Sequence, residues 1–113
     1  MKRKISFKYK GKKINLDTEI CRGARMGMGL MFKSRKTDAL LFEFSKPNKM
    51  SLTALFVFFP FIAVFIDDKN KVMEVRRIKP FKFLIKPKKT FTKLIEIPIN
   101  DKYHKQIELL DDS

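Results

Sequence analysis

The run at residues 52–67, LTALFVFFPFIAVFID, restricts what this chain can become more than any other stretch. Residues 50–66 carry no charge over 17 positions, at the short limit for a membrane-spanning helix of about 20 residues. Pro60 stands in the middle, where a helix would lose a hydrogen bond and gain a steric clash. Its neighbours are Phe, Val and Ile, side chains that suit a pleated surface. Two strands are therefore expected, at 50–58 and 61–66. Neither alternates apolar with polar residues, so both are expected to be covered on both faces.

A chain of 113 residues is read as one domain, 1–113, able to bury a core without disulfides or metal. Twelve phenylalanines supply that core. The single cysteine, Cys21, has no partner for an internal bridge. The basic N-terminal residues lack the apolar segment of a signal peptide, so a cytoplasmic, reducing location is expected. Against 12 acids stand 26 Lys and Arg, leaving +14. Such a field favours polyanions and says nothing about fold. A competing account is drift toward Lys, Ile, Phe and Asn in an AT-rich genome, although drift alone does not thin the acids.

Around residues 4–20 the pattern has period 2. Ile5, Phe7 and Tyr9 alternate with Lys4, Ser6, Lys8 and Lys10; after Gly11 the alternation resumes at Ile14, Leu16, Thr18 and Ile20. This predicts a hairpin with one buried and one wet face. The wet face and turn hold Lys8, Lys10, Lys12 and Lys13, which serve either as ligand contacts or as an edge that discourages sheet-to-sheet association. Residues 22–36, RGARMGMGLMFKSRK, break the pattern with three glycines and three methionines among five cations. A loop or one short helical turn is expected there, with Arg22 and Arg25 on its surface. Its glycines have neither the spacing nor the strand-helix setting of a dinucleotide fingerprint.

Three blocks in order, Gly29-Leu30-Met31-Phe32-Lys33, Ala39-Leu40-Leu41-Phe42-Glu43-Phe44 and Phe59-Pro60-Phe61-Ile62-Ala63-Val64-Phe65-Ile66-Asp67, resemble the signature segments of the domain of unknown function 192 family. Leu94-Ile95-Glu96-Ile97-Pro98 echoes a later block of that family. The resemblance covers roughly residues 25–99. It implies a compact, mostly β fold with a small helical part and no established activity. Where many members carry polar residues before the proline, this chain has Ala54-Leu55-Phe56-Val57, and Ile62 replaces an acid that often follows it. No site residue is therefore carried over.

Beyond Asp67-Asp68-Lys69-Asn70, which reads as a turn and lacks the later ligands of a calcium loop, residues 71–78 form a further strand. A change of phase there predicts a bulge or a strand end. Residues 76–93 hold Arg76, Arg77, Lys79, Lys82, Lys86, Lys88, Lys89 and Lys93 without an acid. Phe81, Phe83 and Phe91 are interleaved with them. Rings beside cations suit single-stranded nucleic acid. The period-2 placing of Phe81, Phe83 and Ile85 instead predicts an amphipathic strand with these three pointing inward. A last strand follows at 91–99. Asn100 or Asp101 then caps a short helix with Tyr103, Ile107 and Leu110 on its buried side.

The fold class expected is mainly β with a β-rich α+β character: a sheet or partly closed barrel of six to eight strands with a short C-terminal helix. Catalytic machinery is not expected, since His104 is the sole histidine, no second ligand makes a zinc site, and no serine sits in a nucleophile elbow. No cofactor is expected. The expected activity is binding of RNA, or of an RNA-protein assembly such as the ribosome, through Lys8, Lys10, Lys12, Lys13, Arg22, Arg25, Arg76, Arg77, Lys79, Lys82, Lys86, Lys88 and Lys89. Charge reversal at Arg76, Arg77, Lys86 and Lys89 should weaken it without unfolding. The alternatives are an apolar small-molecule or peptide pocket lined by Met26, Met28, Met31 and neighbouring Phe residues, and peripheral contact with an anionic membrane.

Overall fold

The alternation at the N-terminus forms the predicted hairpin. In the computed structural model, which describes residues 2–21, 30, 33–51, 57–81 and 85–110, β1 (Lys2–Tyr9) pairs antiparallel with β2 (Lys12–Ile20) from Lys2↔Glu19 to Tyr9↔Lys12. Lys10 and Gly11 make the connection with φ of 50° and 78°, the left-handed pair that a two-residue hairpin turn requires. Along β2 every second residue from Ile14 to Ile20 is buried.

Four further strands follow among the described residues: β3 (Ala39–Asn48), β4 (Phe61–Ile66), β5 (Val72–Ile78) and β6 (Phe91–Pro98). Their order in the sheet is β1-β2-β3-β6-β4-β5. Only β2 and β3 run parallel. The β3–β6 register shifts between Glu43 and Asn48, across Pro47, which has no N–H to give the ladder. The bulge foreseen near 71–78 lies where Phe65 pairs with Glu74 but Ile66 with Val72. At the preceding turn both Lys69 N–H and Lys71 N–H donate to Asp67 Oδ1 at 2.9 Å.

Every residue of β4 is buried, as its unbroken apolar run requires. Alternate side chains enter two cores. On the inner face Ile62, Val64 and Ile66 join Phe7, Leu16, Leu41, Ile95 and Ile97. On the outer face Phe61, Ala63 and Phe65 join Leu40, Phe42, Phe91 and Leu94, covered by Cys21, Leu30, Val57, Phe59 and Ile85 from the connections. The sheet curls about the inner core until β1 meets the residue that precedes β5 at an isolated parallel bridge, Lys8↔Lys71. The result is a six-stranded half-barrel.

Two expectations for the connections need revision. The strand expected at 50–58 is not formed at either described end: Met50, Ser51, Val57 and Phe58 lie outside any strand, and 52–56 lie outside the described residues. Val57 instead accepts a hydrogen bond from Phe81 N–H at 3.2 Å. Phe81 does not point inward; it is 56% exposed and sits at φ 64°. A left-handed residue breaks the two-residue repeat on which the amphipathic-strand reading rested. Phe83 lies outside the described residues, whereas Ile85 is buried as expected. Of residues 22–36, a turn closes from Thr37 N–H to Ser34 O; Arg22, Arg25 and the three methionines lie outside the described residues.

The C-terminal segment plugs the inner core. Asn100 Oδ1 accepts from Lys102 N–H at 2.9 Å and caps a 3-10 turn, Asp101–Tyr103. It leads into α1 (His104–Leu110). Tyr103 and Leu110 are buried against the sheet. The Tyr103 hydroxyl accepts from Ala39 N–H at 2.7 Å and donates to Asp17 O at 3.3 Å. It thereby bonds both strands of the parallel β2–β3 pair, and burial holds its proton affinity above the usual phenol range. Tyr103→Phe leaves the buried Ala39 N–H without an acceptor and is expected to cost about 1–3 kcal/mol in urea denaturation.

A basic seam and an exposed aromatic pair

The run of cations at 76–93 does not form one surface. Arg76 pairs across to Ala63, whose side chain is in the outer core, and Arg77 to Ile62, whose side chain is in the inner core. Successive strand residues point to opposite faces, so the two arginines diverge. Arg76 is tied into the fold by its own bonds. Its Nη1 donates to Lys86 O at 2.9 Å, and its Nε lies 3.7 Å from Glu74 Oε2. Glu74 Oε1 also accepts from Lys88 N–H at 2.8 Å. These bonds strap 86–88 onto β5, with Lys88 and Lys89 beside them around a shallow 300 Å³ depression. Reversing the charge at Arg76 would therefore strike the strap as well as any ligand. Arg77 and Lys79 are exposed on and just after β5; Lys82 lies outside the described residues.

What the curl does bring together is the seam. Lys8 and Lys13 from the β1–β2 hairpin face Lys69 and Lys71 from the β4–β5 turn around a cleft of 450 Å³, with Ser6, Phe7 and Asn70 completing its lining. All four lysines are exposed, and no acid is among the described lining residues. Lys93 extends the basic surface on β6, where its Nζ donates to Asn70 Oδ1 at 2.6 Å. At the hairpin tip Lys10 Nζ stands 5.3 Å from the centroid of the Tyr9 ring, and Lys12 is exposed beside it.

A second cleft, near α1, is larger at 560 Å³ but its charge is partly offset: Lys2, Arg3, Lys4 and Lys102 share it with Asp17 and Asp38. Lys102 Nζ bonds Asp38 Oδ1 at 2.8 Å, and Lys2 Nζ lies 3.6 Å from its Oδ2. The bond from Lys102, assisted by both positive charges, holds the Asp38 carboxyl below the usual range. Arg3 is taken up by Glu43 at 2.7 Å. The acids thus offset part of the positive charge at this end, whereas the seam has no acid among its described lining residues.

Two other features went unread in the sequence. Phe58 and Phe81 stack edge to face, centroids 5.5 Å apart and planes at 66°, while remaining 54% and 56% exposed. Glu96, inside the Leu94–Pro98 block, is 6% exposed between Leu40 and Ala63. The Leu30 backbone amide bonds its carboxylate, but Oε1 has no partner among the described residues. Burial pushes the carboxyl up to about 7, against the pull of the Leu30 bond. No group of three or more His, Cys, Asp or Glu among the described residues could hold a metal ion, and no described helix is long and apolar enough to cross a membrane.

The family described as Uncharacterized ACR, DUF192, matches residues 6–108. The chain belongs to the DUF192 family. The match reaches past 25–99 to take in most of the N-terminal hairpin and of α1, so the residues of the seam lie within the matched range. Two solved structures share the fold of this DUF192 member. One is a candidate transcription regulator from Sinorhizobium meliloti 1021, at TM-score 0.75 and 16% identity over 87% of this chain and 81% of the other. The second, a protein of unknown function from Novosphingobium aromaticivorans DSM 12444, has TM-score 0.77 and 14% identity over 97% and 79%. At such identities the likeness is one of fold. No curated protein is significantly similar to this DUF192 member.

Proposed function

We propose that this DUF192 protein is a non-catalytic module that binds RNA, free or within an RNA-protein assembly such as the ribosome, through its basic surface in the cytoplasm. The observation that carries this reading is the seam: four exposed lysines from two distant turns around one cleft, with no acid among its described lining residues. Lysine ammonium groups are compact point charges that serve phosphates without requiring a fixed planar geometry. A row of them suits a flexible, repeating polyanion. Lys10 and Lys12 at the hairpin tip, Arg77 on β5 and Lys79 and Lys89 beyond it widen the field that draws such a chain in.

The test is a heteronuclear NMR titration with a short single-stranded RNA at physiological salt. Shifts concentrated at Lys8, Lys13, Lys69 and Lys71 support the seam as the contact. No shifts, or shifts centred on the cleft beside Asp38, would overturn it.

A further inference from the structure

The seam lysines explain attraction to phosphate but not a choice between single and double strands, and the exposed aromatic pair bears on that choice. Phe58 and Phe81 are large apolar side chains more than half exposed on a chain of net charge +14. Their edge-to-face contact sets the ring centroids 5.5 Å apart with the planes at 66°. The pair is also held in place: Phe81 N–H donates to Val57 O at 3.2 Å, which brings the neighbouring Phe58 alongside. Phe81 keeps this position at φ 64°, a conformation rare for a bulky residue and a pointer to function where it occurs.

The pair and the seam are joined by one element. Lys71 of the seam precedes β5, which runs from Val72 to Ile78, and Phe81 lies three residues past its end. At about 3.3 Å per residue, β5 spans roughly 23 Å. It is an edge strand of the sheet, and exposed Arg77 and Lys79 stand between the seam and the rings. Cations along an edge with an aromatic platform at its far end match the needs of an unpaired strand, whose phosphates are neutralised while a base stacks on a ring. A duplex keeps its bases inside the stack and has none to offer the platform.

We infer that Phe58 and Phe81 form a stacking platform for an unpaired base, and that the protein prefers single-stranded over double-stranded RNA; this rests on the RNA-binding reading above. The experiment compares the wild type with Phe81→Gly against a short single-stranded RNA and a duplex of the same sequence. Glycine accepts φ 64° without strain, so this variant removes the ring and keeps the backbone; an unchanged melting curve verifies it. A single stack is expected to be worth about 5- to 150-fold in affinity. Phe81→Gly should lose that factor on the single strand, keep its affinity for the duplex and keep the same salt dependence, since no charge is removed. As a direct readout, Phe81→Trp places the sole tryptophan of the chain at the platform, and its fluorescence should be quenched by the single strand but not the duplex. Wild-type binding to both forms with no loss in Phe81→Gly and no quenching overturns the platform and leaves RNA binding standing. Absence of wild-type binding to either form overturns both.

Discussion

Replacing Lys8, Lys13, Lys69 and Lys71 together with Gln is expected to reduce RNA affinity roughly 100-fold at physiological salt, and to lower the slope of log affinity against log salt by about 3. Each phosphate contact releases about 0.7 to 0.9 of a counterion, so the change in slope counts how many contacts the seam supplies. Fold should survive, because all four side chains are exposed and the β4–β5 turn is fixed by Asp67 through backbone N–H groups. A matched variant at Lys2, Arg3, Lys4 and Lys102, where the cleft also holds Asp17 and Asp38, should change affinity far less. Equal losses in the two variants would mean that total charge, and not the seam, governs binding.

Glu96→Gln is expected to stabilise the protein by about 1–3 kcal/mol at pH 8 and to leave it nearly unchanged at pH 4. The wild-type carboxyl is held at about 7 by burial, against 4.5 as its ordinary value. Between those values the unfolded chain has released a proton that the folded chain retains. Stability linked to Glu96 is therefore fully present below about pH 4.5, falls as pH rises, and levels off above about 7. The difference between the two values corresponds to about 3 kcal/mol. Glutamine carries no charge to bury, though its amide N–H groups need acceptors that the orphaned Oε1 position does not offer among the described residues, which trims the gain. Urea denaturation of both proteins from about pH 4 to 8 measures the effect. Parallel curves for wild type and variant would contradict the buried, weakly acidic state of Glu96.

The parts of the fold legible in the sequence are those fixed by local pattern. Alternation in β1 and β2, the unbroken apolar β4, the Asp67 turn, the bulge before Glu74 and the Asn100 cap each arise from residues within a few positions of one another. Phe81 defeats the period-2 reading because a left-handed residue breaks the two-residue repeat, and composition gives no warning of it. Glu96 hid for a different reason: both faces of β6 are covered from Leu94 onward, so a polar residue placed there is buried. The site escaped because it depends on closure. Lys69 reads as a turn residue and Lys71 as the start of a strand until the curled sheet, in an order that runs β3-β6-β4, sets β5 against β1. The signal that could have found them was the excess of lysine at both turns with the nearby Asp67 taken up by the backbone.

The most direct test of the central claim is fluorescence anisotropy of the nuclease-treated protein with labelled single-stranded RNA, duplex RNA, DNA and heparin, each across a range of salt. Neutralisation of about four to six phosphates predicts a slope of roughly 3 to 5, with a preference for RNA over heparin that persists at physiological salt. Equal binding to all four probes that vanishes by that salt would contradict it, leaving a net charge of +14 with no dedicated partner.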